Sequence, residues 1–285
     1  MSRIDLQNYC MAFVDILGQR DAMRGEGLLP AFEKDGDEEK FRARIKNSVG
    51  QIVRLQEAAK HYLVDRPELS IRDQLTEEQR EAYDESKRLR MKQQRWSDGL
   101  VLYTSMAGKT PMNAIFDIFG TAGGLCFMGL GQKEPLRGGI DISWGAELHE
   151  GEIYGAVVAN SYELETIAQY PRIVVGNRVI QYLDSAIDHA NEDEQAEQIN
   201  KALAQICRAM VCMDTDGQHI INYLGETFTE CFTKDNSAAM FSEAYGYASE
   251  QYELHRDARN AKLAIRYNWL LAYFEAHKAF HSGSK

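Results

Sequence analysis

Phe13-Val14-Asp15-Ile16-Leu17-Gly18 is the stretch on which the reading of this chain turns. The apolar run from Met11 to Leu17 has the composition of a buried strand, and Gly18 closes it. One acid, Asp15, interrupts the run. A carboxylate in such a strand is costly unless a cation, a basic partner or a cage of hydrogen bonds replaces its lost hydration. A second acid stands in a comparable setting downstream, in Arg95-Trp96-Ser97-Asp98-Gly99-Leu100-Val101-Leu102-Tyr103. Asp98-Gly99 reads as a tight hairpin turn, because this pair tolerates the positive φ angles such turns need. Folding is expected to bring Asp15 and Asp98 together around divalent metal. Taken singly, Asp15 is equally a hydrogen-bonded strand-end acid, and Asp98 equally a plain turn residue.

At 285 residues the chain is one large domain, or one domain with a helical appendage, and can bury a sizeable core. No apolar run is read as long enough to cross a membrane. Asp5 and Gln7 interrupt the layout of a signal peptide. The five cysteines, an odd number with no C-x-x-C pair, suit reduced thiols in a cytoplasmic protein. No zinc-type pair is read among the scattered histidines. A net charge of −11 argues against a broad nucleic-acid or anionic-membrane footprint. It leaves room for a single nucleotide held by metal and a few local cations.

Working outward, Gln19 to Gly36 reads as a connection rich in glycine. From about Glu38 to Val64 the residues Phe41, Ile45, Val49, Ile52, Val53 and Leu55 recur at helical spacing, and Asp65-Arg66-Pro67 ends that helix. A charged helix is expected from about Leu75 to Lys92, then the hairpin of Trp96–Ser105. Pro111 opens an apolar helix whose Gly120, Gly123 and Gly124 suit close packing; no G-K-S/T follows to make a phosphate loop. Leu136–Gly145 reads as a strand. Glu152-Ile153-Tyr154-Gly155 leads into a helix over about Ala156–Ala168, and Pro171–Val175 is a short β-branched strand. Helices follow near Arg178–His189 and Asp193–Val211. Asp214-Thr215-Asp216-Gly217 begins like a calcium loop but lacks its later bidentate Glu, so it reads as a hairpin turn. The tail, about Ser237–His281, reads as helical, with the aromatic stripe Tyr267–Phe274 as packing surface. Strands alternating with helices give an α/β or α+β sandwich.

Two carboxylates about 4 Å apart repel by roughly 4 kcal/mol at an effective dielectric near 20. A divalent cation turns that repulsion into binding. Oxygen ligands without nearby His or Cys favour Mg²⁺ or Mn²⁺. Two such ions suit phosphoryl transfer, one activating the attacking oxygen and the other holding the phosphates.

The order F-V-D-I-L-G, S-D-G-L, L-R-G-G-I-D-I-S-W-G, E-I-Y-G-A-V-V-A-N-S-Y-E-L-E resembles the class III nucleotidyl cyclase domain over most of Met1–Gly225. The resemblance implies an α+β fold: a ferredoxin-like βαββαβ core over residues 1–225, with 226–285 as a C-terminal helical extension. It implies that Asp15 and Asp98 hold two Mn²⁺ or Mg²⁺ ions, with the backbone carbonyl of Ile16 as a further ligand. It also implies a head-to-tail homodimer with active sites at the interface. There the 3′-hydroxyl of a nucleoside triphosphate attacks its own α-phosphate and releases pyrophosphate.

The departures from that family are specific. The base-reading positions fall at Gln94 and Glu152, which form neither purine pair. The transition-state Asn and Arg fall on Ala159 and Glu163. Asn160 lies one residue away, and Arg137, Arg172 and Arg178 are candidate substitutes. The chain is in this respect similar to the pyrimidine cyclases of Pycsar antiphage defence. That similarity implies UTP or CTP as substrate, with UTP favoured, and a cyclic pyrimidine nucleotide acting on a separate effector. Phe13, on the same strand face as Asp15, either stacks on the nucleotide or packs in the core. Arg137 either binds phosphate or caps a strand end. Asn160 and Tyr162 face the side where a dimer partner would contribute. The rival readings are a purine cyclase with an unusual pocket and a degenerate cyclase fold serving as a regulatory nucleotide-binding domain.

Overall fold

The computed structural model describes residues 5–18, 31–32, 34–64, 76–77, 80, 91–97, 99–190, 194–234 and 236–282. Asp98, most of the Gln19–Gly36 connection and nearly all of the expected charged helix to Lys92 lie outside the described residues. Strand β1 (Gln7–Ile16) is the centre of the fold. Side chains alternate across a strand, so Cys10, Ala12, Val14 and Ile16 enter the main core while Tyr9, Met11 and Phe13 enter a smaller one on the opposite face. Asp15 belongs to the second face.

The strands β2 (Lys92–Trp96), β3 (Gly99–Ser105), β4 (Leu136–His149), β6 (Ile173–Val175), β7 (Val211–Met213) and β8 (His219–Ile221) join β1 in the order β2-β3-β1-β4-β6-β8-β7. A short β5 (Glu152–Tyr154) pairs with the far end of β4. The β4–β6 pair is parallel and the other ladders are antiparallel, so the fold is α+β with a mixed sheet. Helix α1 (Asp37–Val64) links β1 to β2, with β3 inserted between those strands. Helix α2 (Met112–Gly131) links β3 to β4, with β1 inserted between them. Both helices pack on the main-core face. Helix α3 (Ala156–Ala168) carries the chain from β4 to β6 over the other face.

Acids in the first turn of α1 (Asp37, Glu38, Glu39) suit the positive end of the helix dipole. Its apolar residues do not all form one buried stripe: Leu55 and Ala59 enter the core, whereas Val49 and Val53 are exposed. Helix α2 is 20 residues long and apolar enough to cross a membrane by length and composition, contrary to the sequence expectation. Its interior glycines obscure the run in the sequence, and 83% of the apolar window is buried inside the protein, as in a core helix. Gly120 and Gly123 are packing sites, as expected. A Cβ at Gly120 would collide with the Phe232 ring, and one at Gly123 with the Phe228 ring.

The rings come from the C-terminal part. After α4 (Asn177–Asp188), α5 (Gln195–Ala209) and the β7–β8 hairpin, a short α6 (Glu226–Phe228) widens into a π turn over Thr229–Thr233. Helices α7 (Ser237–Asp257) and α8 (Ala261–Ser282) follow. Phe228, Phe241, Ala244, Leu270 and Phe274 share one hydrophobic cluster with β1 and α2, so the extension and the sheet have a common core.

Two details of the sequence reading shift. Gly99 is not a turn residue: it opens β3, paired with Trp96 and with Asp15, and the positive φ falls on Ser97 at 53°. Space is tight at 99, where a Cβ would meet Phe13 Cε1 and the Val14 carbonyl oxygen at 3.1 Å. The second helix of the pair before the β7–β8 hairpin stops at Ala209, and Val211 begins β7.

Candidate active site

The register of the central ladders decides which side chains meet. Residues paired directly across antiparallel strands project to the same face. On the Asp15 face one row runs Trp96, Gly99, Asp15, Arg137, and the next runs Gln94, Val101, Phe13, Gly139. Four positions singled out from sequence, Asp15, Arg137, Phe13 and Gln94, thus lie on adjacent rows although they are scattered over the chain. Ile16 is the next residue along β1; its side chain turns to the opposite core, paired with Leu136.

Asp15 is met by a basic partner. An Arg137 terminal nitrogen stands 3.3 Å from Asp15 Oδ2, and Arg137 Nε lies 2.6 Å from Oε1 of Glu165 on α3. The exposures of these side chains are 4% for Asp15, 1% for Glu165 and 17% for Arg137, so two buried carboxylates flank one guanidinium. The short Nε contact is an ion pair whose angle is poor for a hydrogen bond. In their ordinary charge states the three groups carry one more negative than positive charge.

Helix α3 reaches this depth because of local sequence. Val157, Ser161, Glu165 and Ala168 recur along one stripe and are its buried residues. Gly139 has no side chain where the helix crosses: a Cβ there would collide with Leu164 and with the backbone of Ser161 and Glu165. The Ser161 hydroxyl donates to the Met11 carbonyl oxygen at 3.1 Å, pinning the helix to β1. Glu165 was missed in the sequence. The stripe that α3 buries, Val157, Ser161, Glu165 and Ala168, is half polar, so hydrophobic period does not mark it.

Phe13 packs in the smaller core, edge-on to Trp96 (centroids 6.1 Å apart) and to Tyr162 (5.3 Å). The aromatic surface open to solvent is therefore that of its neighbours, Trp96 at 43% and Tyr162 at 40% exposure. Gln94 Oε1 accepts a hydrogen bond from the Ile153 N–H at 3.0 Å, which brings it beside Glu152, the exposed first residue of β5. Asn160 is half-buried on α3, on the turn before Glu165, and is not among the groups clustered with Asp15.

The other arginines considered are engaged elsewhere. Arg172, fully buried, donates to Asp214 and to Asp216 (2.6 Å) and to the Ala168 carbonyl oxygen (2.8 Å). Its guanidinium lies 5.1 Å from the Tyr170 ring centroid and 5.8 Å from that of Trp269 on α8. Asp214 also accepts from Trp269 Nε1 at 2.9 Å, so the Asp214–Gly217 turn is a structural clamp on α8, with Gly217 at φ 82°. Arg178 pairs with the buried Asp141. On the Asp15 face but two rows beyond, Lys92 bonds both Glu147 oxygens (2.8 and 2.7 Å) and the Tyr103 hydroxyl donates to the same carboxylate at 3.0 Å. Burial alone would raise the Glu147 pKa; the bonds from Lys92, the Gly151 N–H and Tyr103 hold it below its usual value.

One histidine pair does have helical ligand spacing, contrary to the sequence reading: His277 and His281. One nitrogen of each is engaged with a carbonyl oxygen, His277 Nδ1 with that of Tyr273 (2.8 Å) and His281 Nε2 with that of Leu224 (2.9 Å). Among the described residues no three His, Cys, Asp or Glu side chains gather as a cation cage. Asp98, the other expected ligand, lies outside the described residues.

Comparison with protein-family models, with curated proteins and with solved structures finds no match. The arrangement on the Asp15 face offers a buried oxygen donor of the kind hard divalent cations select, a guanidinium beside it, exposed aromatic rings and an amide one row away.

Proposed function

We propose that the chain is a divalent-cation-dependent pyrimidine nucleotide cyclase, converting UTP to 3′,5′-cyclic UMP and pyrophosphate. The observation that carries this reading is the first row of the register. Gly99, the residue after Asp98 in the chain, is the direct strand partner of Asp15, and Arg137 is its partner on the other side. The strand order β2-β3-β1-β4, with antiparallel neighbours and α1 and α2 on one face, is the order a ferredoxin-like βαββαβ core requires. It supports that core for residues 1–225.

Asp15 and Asp98, with the Ile16 carbonyl, would hold two Mn²⁺ or Mg²⁺ ions. These ions supply activation of the 3′-hydroxyl and neutralisation of the phosphates when bound. Asp15 fits such a role as a buried oxygen donor, 4% exposed, that already faces a cationic group, Arg137. Arg137 sits where it can pass from Asp15 to a phosphate oxygen, and guanidinium suits that ligand geometrically. Trp96 and Tyr162 present partly exposed rings that a base or a second copy of the chain can cover. They support the homodimeric arrangement with its sites at the interface.

Gln94 supports uracil over cytosine. Its carbonyl oxygen is already used by the Ile153 N–H, so its free amide N–H groups donate. Uracil offers O4 as an acceptor there, whereas cytosine offers an amino donor. A cytoplasmic enzyme whose product acts on a separate cyclic-nucleotide-binding effector completes the reading.

The second reading, a regulatory nucleotide-binding domain, is favoured by Ala159 and Glu163, both exposed, at the positions of the family's transition-state Asn and Arg. Incubating the chain with Mn²⁺ and each of ATP, GTP, CTP and UTP, with products read by mass spectrometry, separates the two. Cyclic UMP is the expected product, lost in Asp15→Ala and in Asp98→Ala variants that remain folded. Turnover retained in both variants would overturn the mechanism. Binding of nucleotide without product from any of the four would favour the regulatory reading.

A further inference from the structure

We infer that Glu165 is a positioning residue of the cation site: by holding Arg137 it keeps Asp15 available to a divalent cation. The role rests on the cyclase reading for the cation, and on ion-pair geometry for the residue. Arg137 stands between the two acids: its Nε lies 2.6 Å from Glu165 as an ion pair, and a terminal nitrogen donates to Asp15 at 3.3 Å. Glu165 is fixed in turn. It sits on the buried stripe of α3, the Thr166 hydroxyl stands 3.4 Å from its Oε2, and the helix backbone is seated on Gly139.

The consequence is a competition with a set outcome. An arginine committed wholly to Asp15 would block the oxygens a cation needs, since both ligands want the same lone pairs. With Glu165 taking the shorter contact, a cation arriving at Asp15 displaces the longer of the two Arg137 contacts. Arg137 remains charge-paired through Nε after that exchange, so its release does not strand a guanidinium in a buried site. Removal of the Glu165 charge acts the other way: Arg137 closes on Asp15, and the site loses one negative charge.

The test is Mn²⁺ binding to the full chain without nucleotide, read from the electron paramagnetic resonance signal of free Mn²⁺. Glu165→Gln is expected to weaken binding at least tenfold in a variant that remains folded. Glu163→Gln removes a charge from the exposed side of the same helix and is expected to leave binding within twofold. Equal binding by Glu165→Gln and wild type overturns the inference, as does equal weakening by the two variants, which would reduce the effect to overall charge. Should Glu165→Gln fail to fold, Glu165→Asp decides: its carboxylate is drawn back by one methylene, weaker Mn²⁺ binding supports the role and unchanged binding overturns it. A wild type that binds no Mn²⁺ removes the cation site itself, which is the failure of the cyclase reading and takes this role with it.

Discussion

Arg137→Met isolates what the guanidinium does. Methionine keeps much of the side-chain length and removes the guanidinium that pairs with the Asp15 and Glu165 carboxylates, 4% and 1% exposed. Removing one partner of a buried pair costs about 3–5 kcal/mol, because the charge left behind is uncompensated. Here one guanidinium serves two acids, which pushes the cost up. Its own 17% exposure admits some water, which pulls it down. A loss of about 3 kcal/mol is therefore expected in urea unfolding at pH 7.5 with chelator present. Mn²⁺ should restore part of it, since a ligand at about 100 times its dissociation constant stabilises by about 2.7 kcal/mol. The wild type should gain less from Mn²⁺, because there the cation must first move Arg137. A loss below about 1 kcal/mol would refute the assignment of Arg137 as the counter-charge of this cluster. The full loss without recovery in Mn²⁺ would keep the ion pair and reject the cation site.

Other outcomes follow from packing and protonation. Phe228→Ala empties the place kept open by Gly123 on α2 and is expected to cost about 3–5 kcal/mol. Unfolding in urea should stay a single transition, because α7 and α8 share the main core; an early separate transition of the C-terminal helices would contradict that. His281 should make stability fall in acid. Burial depresses its pKa below 6.5, partly offset by the bond to the Leu224 carbonyl oxygen, and its Nδ1 has no partner to receive a proton's hydrogen bond. The unfolded chain then takes up the proton first, so this contribution is complete above about pH 6.5 and is lost as pH falls through the folded value. Urea midpoints from pH 7.5 to 5 should show a smaller decline in His281→Gln than in the wild type, and parallel declines would refute the role of this ring.

The sequence alone determined the elements around the Asp15 strand. Hydrophobic period and glycine placement marked β1, α1, β3, α2, β4 and α3, because these depend on local spacing; β2 and the short β5 were not marked as strands. It also marked Asp15 as anomalous, since a charge in an apolar run is visible without any fold. The Asp214–Gly217 turn and the packing role of the α2 glycines were legible for the same reason.

Tertiary structure decided what Asp15 touches. The row that joins Trp96, Gly99, Asp15 and Arg137 depends on strand register, and a slip of one residue would turn every side chain to the other face. Glu165 joins the cluster only because Gly139 lets α3 descend onto the sheet, a relation between residues far apart in the chain. The exposure of Val49 and Val53, and the binding of Arg172 to the turn that clamps α8, were likewise beyond local spacing. A sequence names the residues able to carry charge; burial and register choose which charges must face one another.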